Sequence, residues 1–274
     1  MRIEQAHIST YSHLTKEFLS RWNLREYDNP EEPAFFWGLQ WDTVKNQKDR
    51  SRKDRRKSVD ADLYVKHKGF KILHFVGAEF YNGLLHLVDK KNAKVLCTDV
   101  SEAWLCKKLQ MSHKHLKIPY FDLDFHKSTK LGDKIYSHVA DGEKFPVGLA
   151  PNLEYKKLSN LFGRENFCFP DKWKTINELL NFFNQSYCNI KPHPIRGNVS
   201  AWRLGLMGRK TIQHENKRFA DQGPHYIYYK DDKELVKLVE QESKKVGTLQ
   251  EELAKKVKEC YHESDDWLYE EYWL

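Results

Sequence analysis

Short apolar runs alternate with amphipathic stretches along most of the chain. The runs Ala34–Trp37, Lys71–Val76, Lys94–Cys97, Lys134–Ser137, Cys188–Ile190, Lys210–Ile212 and Tyr226–Tyr228 predict strands. Several end at a glycine or a polar turn, as strands buried in parallel sheets do. The stretches Leu84–Val88, Glu102–Leu109, Ile176–Phe183, Ser200–Met207, Asp232–Lys244 and Thr248–Tyr261 predict helices. In Asp232–Lys244, Leu235, Leu238 and Val239 share one face, with charges opposite. This alternation of strand and helix predicts an α/β architecture with parallel sheets.

A length of 274 residues suits about two domains. The polar stretch KSTKLGDK at 127–134 is the natural boundary. We therefore expect domains at 1–130 and 131–262, with 263–274 as a segment that packs back on the body. That segment carries Trp267, Leu268, Tyr269, Tyr272, Trp273 and Leu274, too much apolar surface for an exposed tail.

Composition narrows the class. Eight Trp, 14 Tyr and 15 Phe exclude a disordered chain, because aromatics supply the burial that offsets chain entropy. No run approaches the roughly 20 apolar residues that span a bilayer, and the first residues hold no signal-peptide core. The five cysteines are odd in number and lack CxxC spacing, so no disulfide framework or zinc ribbon is indicated. The expected location is a reducing cytoplasm. The net charge of +7 suits a phosphate-bearing partner, nucleic acid or nucleotide.

Part of that charge is concentrated. Residues 45–57, KNQKDRSRKDRRK, hold eight basic and two acidic side chains and nothing apolar. Arg50, Arg52, Lys53, Arg55 and Arg56 there are candidates for nucleic-acid contact, since each phosphate neutralised releases counterions. The same run also reads as a solvated loop. A second basic group surrounds the segment Ile190–Ile212. Lys191 and His193 follow a strand; Arg196 and Gly197 precede a helix whose cap is Asn198 or Ser200; Arg209 and Lys210 lead into the next strand. A helix N-terminus presents free N–H groups and partial positive charge, which suit a diphosphate.

The string LGLMGRKTI, Leu204 to Ile212, resembles the donor domain of GT-B glycosyltransferases. Upstream, Phe36-Trp37-Gly38-Leu39 with Asp42, His67-Lys68-Gly69, Leu73 to Glu79 and Lys94 to Glu102 resemble the acceptor-side domain of small GT-B enzymes. The resemblance implies two Rossmann-like parallel-sheet domains facing a central cleft. It also implies a UDP- or GDP-sugar as donor, bound by Lys191, His193, Arg196, Asn198, Ser200, Arg203, Arg209 and Lys210. One departure stands out. Arg203 occupies the position where such enzymes place a ribose-binding glutamate, so Glu215 takes that contact or Arg203 faces a phosphate.

Transfer requires a base for the acceptor hydroxyl. Glu79 and Asp99 each follow a predicted strand end, the edge that lines ligand crevices in open α/β sheets. Glu102 is a further candidate for acceptor contact. For Asp99 a helix-capping role fits equally well. A competing reading takes Asp122 and Asp124, an Asp-x-Asp after an aromatic strand, as the metal site of a GT-A enzyme. The GT-B resemblance instead implies basic groups at the leaving diphosphate and no required divalent metal. The resemblance to small GT-B enzymes implies a glycan, lipid, protein or, as in phage DNA modification, a hydroxymethylated base in DNA as acceptor; net positive charge and the basic run fit a polyanion, and so DNA with a hydroxymethylated pyrimidine. A glycan acceptor, or a non-catalytic nucleic-acid- or nucleotide-binding protein, is the alternative.

Overall fold

The computed structural model describes residues 1–8, 12–39, 59–75, 88–98, 100–137, 151–168, 175–191, 198–215 and 223–274. The chain divides into two units, Met1–Asp122 with His262–Leu274, and Leu123–Tyr261. The division thus falls between Asp122 and Leu123 rather than within the polar stretch at 127–134. The C-terminal segment His262–Leu274 returns to the first unit.

The first unit holds β1 (Gln5–Ile8), α1 (Ser12–Trp22), β2 (Arg25–Glu26), β3 (Ala34–Trp37), α2 (Val59–Lys66), β4 (Lys71–His74), β5 (Lys94–Cys97), α3 (Val100–Lys108) and β6 (Ser112–His115). These strands form one sheet in the order β2-β1-β3-β4-β5-β6, parallel throughout. Alternation along β3 explains why both faces are covered. Phe35 and Trp37 join Phe18, Trp22, Ile72 and Leu96 on one side, while Ala34 and Phe36 join Tyr64, Leu73, Val95 and Cys97 on the other. The C-terminal segment completes the first of these cores. Trp267 and Leu268 are fully buried there, and Trp273 nearly so.

The second unit holds β7 (Lys134–Tyr136), α4 (Pro151–Phe162), β8 (Phe167–Cys168), α5 (Ile176–Gln185), β9 (Ser186–Ile190), α6 (Asn198–Leu206), β10 (Lys210–His214), β11 (Tyr226–Tyr229), α7 (Asp232–Ser243) and α8 (Glu251–Lys258). Its sheet runs β11-β10-β9-β7-β8, again parallel. Local signals start and stop these helices. Thr175 and Glu178 form a reciprocal capping box at α5. The Asp231 carboxylate accepts the Glu234 N–H at 2.9 Å at the start of α7. At the end of α6, Gly208 adopts φ +89° and the Arg209 N–H returns to Leu204 O at 2.8 Å. Gly132 meets the end of α5 so closely that an added Cβ would lie 2.1 Å from Gln185 O.

The strand orders place a topological switch point within each unit. In the second unit the chain passes from β7 to β8 on one side, then crosses to β9 on the other. That reversal leaves a switch point between β7 and β9, where ligands of open α/β sheets settle beyond the carboxyl ends of the strands. In the first unit the same reversal lies between β1 and β3. The basic run 45–57 falls in the connection between β3 and α2 and is outside the described residues. So are Arg50, Arg52, Lys53, Arg55 and Arg56. Among the described residues no helix is long and apolar enough to cross a membrane.

Candidate functional site

The switch point of the second unit gathers polar side chains that the strand pattern delivers. Tyr136 ends β7, Lys191 follows β9, and Ser200 and Arg203 lie on α6, which leaves the same edge. Three residues apart, Ser200 and Arg203 share one helix face. Tyr136, Lys191, Ser200 and Arg203 are all buried, Arg203 to 2% exposure. Ser200 and Tyr136 share a side-chain hydrogen bond. Burial pushes the Tyr136 phenol up despite that bond, so it stays protonated. Lys191 Nζ lies 6.0 Å from the Tyr226 ring centroid, within cation–π range.

His126 joins this group from the turn after the 3-10 helix Leu123–Phe125. Burial, and then the Arg203 charge, press its imidazole down to about 3. A histidine depressed in the folded state costs stability as pH falls. Between about pH 6.5 and 3 the unfolded chain binds a proton there that the folded unit refuses. The stability is intact above that window and is lost progressively as pH drops through it. At about pH 5 the loss amounts to about 2 kcal/mol. Urea unfolding of the wild type and His126→Gln at neutral pH and at about pH 5 reads this directly. The variant should lose about 2 kcal/mol less on acidification, and equal losses would refute the assignment.

The remaining sequence-predicted positions separate. Arg209 does not join the crevice. Its side chain is completely buried and donates to Ser186 O, Thr129 O, Thr129 Oγ1, Met207 O and Lys130 O. Burial lowers its guanidinium to about 10, still cationic at neutral pH. Arg209 thus ties the segment before β7, the start of β9 and the end of α6 together. Lys210 Nζ donates to Pro224 O at 2.7 Å, and burial lowers its ammonium. His193 and Arg196 lie outside the described residues, as does the side chain of Asn198, whose backbone opens α6.

In the first unit Glu79 and Asp99 lie outside the described residues. Glu102 is buried in the first turn of α3 and accepts the Thr98 N–H at 2.9 Å. That bond serves the helix start, as capping glutamates do. The Asp-x-Asp reading needs correction. Tyr120 and Phe121 are described residues outside any strand; Leu123–Phe125 is a 3-10 helix, and exposed Asp124 pairs with Lys258 at 2.7 Å. Asp122 belongs to the first unit and Asp124 to the second. Among the described residues no three His, Cys, Asp or Glu side chains cluster as a metal site would require. Tyr136 and His126 escaped sequence reading. A tyrosine closing a short apolar strand gives the pattern of core, and nothing local marks His126 as a neighbour of Arg203.

The paired parallel sheets have a counterpart among solved structures. The fold is GT-B-like. A sucrose-phosphate synthase from Thermosynechococcus elongatus matches with a TM-score of 0.55 over 96% of this chain and 92% of its own. Its sequence is 10% identical, so the likeness is one of fold. No protein-family model and no curated protein matches the chain.

Proposed function

We propose that the chain is a glycosyltransferase that moves a sugar from a uridine or guanosine nucleotide sugar to an acceptor hydroxyl. The carrying observation is the buried Arg203 beside the Ser200–Tyr136 pair at the β7/β9 switch point, in a GT-B-like fold. In this reading Arg203 takes the donor diphosphate rather than the ribose, which resolves its replacement of the usual glutamate. A planar guanidinium can hold two phosphate oxygens at once and compensates the charge that grows on the leaving diphosphate. Lys191 and the first N–H groups of α6 add to that field.

For the acceptor we propose a hydroxymethylated pyrimidine in DNA. Its support is the net charge of +7 and the basic run 45–57. A flipped base needs its flanking phosphates held while the target hydroxyl is presented.

A panel of UDP- and GDP-sugars tests the donor half. At concentrations well above Kd, the matching donor should raise Tm by several degrees. Arg203→Met should weaken donor affinity by about 10- to 100-fold, the loss of a charge-assisted hydrogen bond. Lys191→Gln, at the sheet edge, provides a second variant. The reading fails if no nucleotide sugar stabilises the protein.

A further inference from the structure

The carboxyl edge of the first sheet carries a polar chain that the donor reading leaves unused. His74, the last residue of β4, is 3% exposed. Its Nδ1 lies 2.9 Å from Leu96 O. A carbonyl only accepts, so Nδ1 carries the hydrogen and Nε2 of the neutral ring is an acceptor. The Tyr120 Oη stands 3.1 Å from that Nε2 and 2.6 Å from Thr98 Oγ1. A neutral imidazole therefore selects the orientation Thr98 to Tyr120 to His74. The Tyr120 ring is held by stacking on Trp37, with centroids 4.6 Å apart and planes at 30°.

Charged groups frame this chain. Glu102 Oε2, which accepts the Thr98 N–H, is also 3.9 Å from His74 Nδ1. Lys117 Nζ donates to Thr98 O at 3.4 Å. Among the described residues, Glu102, Tyr120 and Lys117 are the titratable groups that face the relay. Thr98 follows β5 directly, at the edge where ligands meet a parallel sheet.

We infer that Thr98, Tyr120 and His74 form a proton relay for the acceptor hydroxyl, with Thr98 touching the acceptor. This rests on the glycosyl-transfer reading. As the acceptor oxygen bonds to the anomeric carbon, the bond from that carbon to the diphosphate breaks and the diphosphate leaves with the electron pair. The acceptor proton passes to Thr98 Oγ1, the threonine proton to Tyr120 Oη, and the phenolic proton to His74 Nε2. Neither hydroxyl accumulates charge, and the Glu102 carboxylate compensates the imidazolium. Thr98 is then the catalytic contact, and Tyr120 and His74 act through it.

Release of nucleotide from UDP-glucose and GDP-glucose, with water as acceptor, tests the relay in the full-length protein. Tyr120→Phe keeps the ring on Trp37 and removes only the hydroxyl. It should slow release by about 10²-fold, the low end of general acid–base contributions. KM and donor-induced stabilisation should stay unchanged, and the rise of rate through imidazole titration should disappear. Thr98→Val should behave alike, while Thr98→Ser should retain activity. Tyr120→Phe within about threefold of a working wild type overturns the relay alone, as does a wild type that binds a nucleotide sugar yet releases none of it to water. A wild type stabilised by no nucleotide sugar overturns the transfer reading and the relay together. Nitrogen-15 spectra of the His74 ring add a readout without turnover: a protonated Nε2 in the resting protein would also sink the relay.

Discussion

Arg209→Met is expected to destabilise the second unit by about 3–5 kcal/mol, the cost of breaking a buried charged network from one side. Methionine matches the stem in length but donates nothing. It would take the guanidinium donor from Thr129 O and Lys130 O, while Ser186 O and Met207 O keep the backbone N–H groups of Gly132 and Thr129. Buried carbonyls with no partner carry their full desolvation cost uncompensated. Arg209→Lys should recover only part of the loss, because one ammonium cannot reach three separate segments in the guanidinium's fork geometry. Urea titration followed by circular dichroism checks the ranking, with Met below Lys below the wild type. The same variants discriminate framework from ligand. If Arg209→Met kept its stability and lost nucleotide-sugar binding, Arg209 would return to the donor set.

Removing residues 262–274 is expected to unfold the first unit while the second stays folded. Trp267 contacts Trp22 and Phe35 edge-on at 5.2 Å each, and Trp273 Nε1 donates to Trp267 O at 2.8 Å. Leu268 O accepts the Ile3 N–H at 2.8 Å, and Tyr269 bridges Arg2 in antiparallel fashion. Deleting a single buried Trp costs about 3–5 kcal/mol, and a whole domain holds only about 5–15 kcal/mol. Two Trp and a buried Leu together are worth about 8–15 kcal/mol, which is comparable to that whole margin. Limited proteolysis of the truncated chain should leave a resistant fragment near residues 123–261 and digest the rest. The single variant Trp267→Ala should remain folded but lose about 3–5 kcal/mol. A truncated protein with an intact first unit would contradict this account.

The parts of the fold that sequence made legible share a cause. β3 and β5 are buried on both faces, so their side chains read as unbroken or nearly unbroken apolar runs. Three of the four described strands that sequence does not mark, β2, β6 and β8, lie at sheet edges. β6 is SHKH and largely exposed, β2 is the exposed pair Arg25–Glu26, and β8 is two residues long. β1, Gln5–Ile8, hides behind a buried glutamine whose side chain holds the turn at Asp28 and Asn29. Helices α1, α2 and α4 were not anticipated either, their apolar positions being interleaved with charge. For the candidate site, sequence placed Ser200, Arg203 and Lys191 in one neighbourhood because they flank one strand–helix turn. It could not place Tyr136 or His126 beside them, since strand order depends on pairings distant in sequence. It also treated Arg209 like its basic neighbours. Composition records a charge but not its destination, and here the guanidinium turns inward to backbone carbonyls.

The discontinuity of the first unit bears on how the polypeptide is born. Residues 1–122 leave the ribosome before residues 123–261, yet the pieces that seal their core, Trp267, Leu268 and Trp273, are made after both. At about 5–20 residues per second, the intervening stretch takes on the order of ten seconds to synthesise. Throughout that interval Ile3, Trp22 and Phe35 wait for their final partners while residues 123–261 can already complete a self-contained sheet. The first unit therefore cannot complete its core until the chain beyond the second unit has been made.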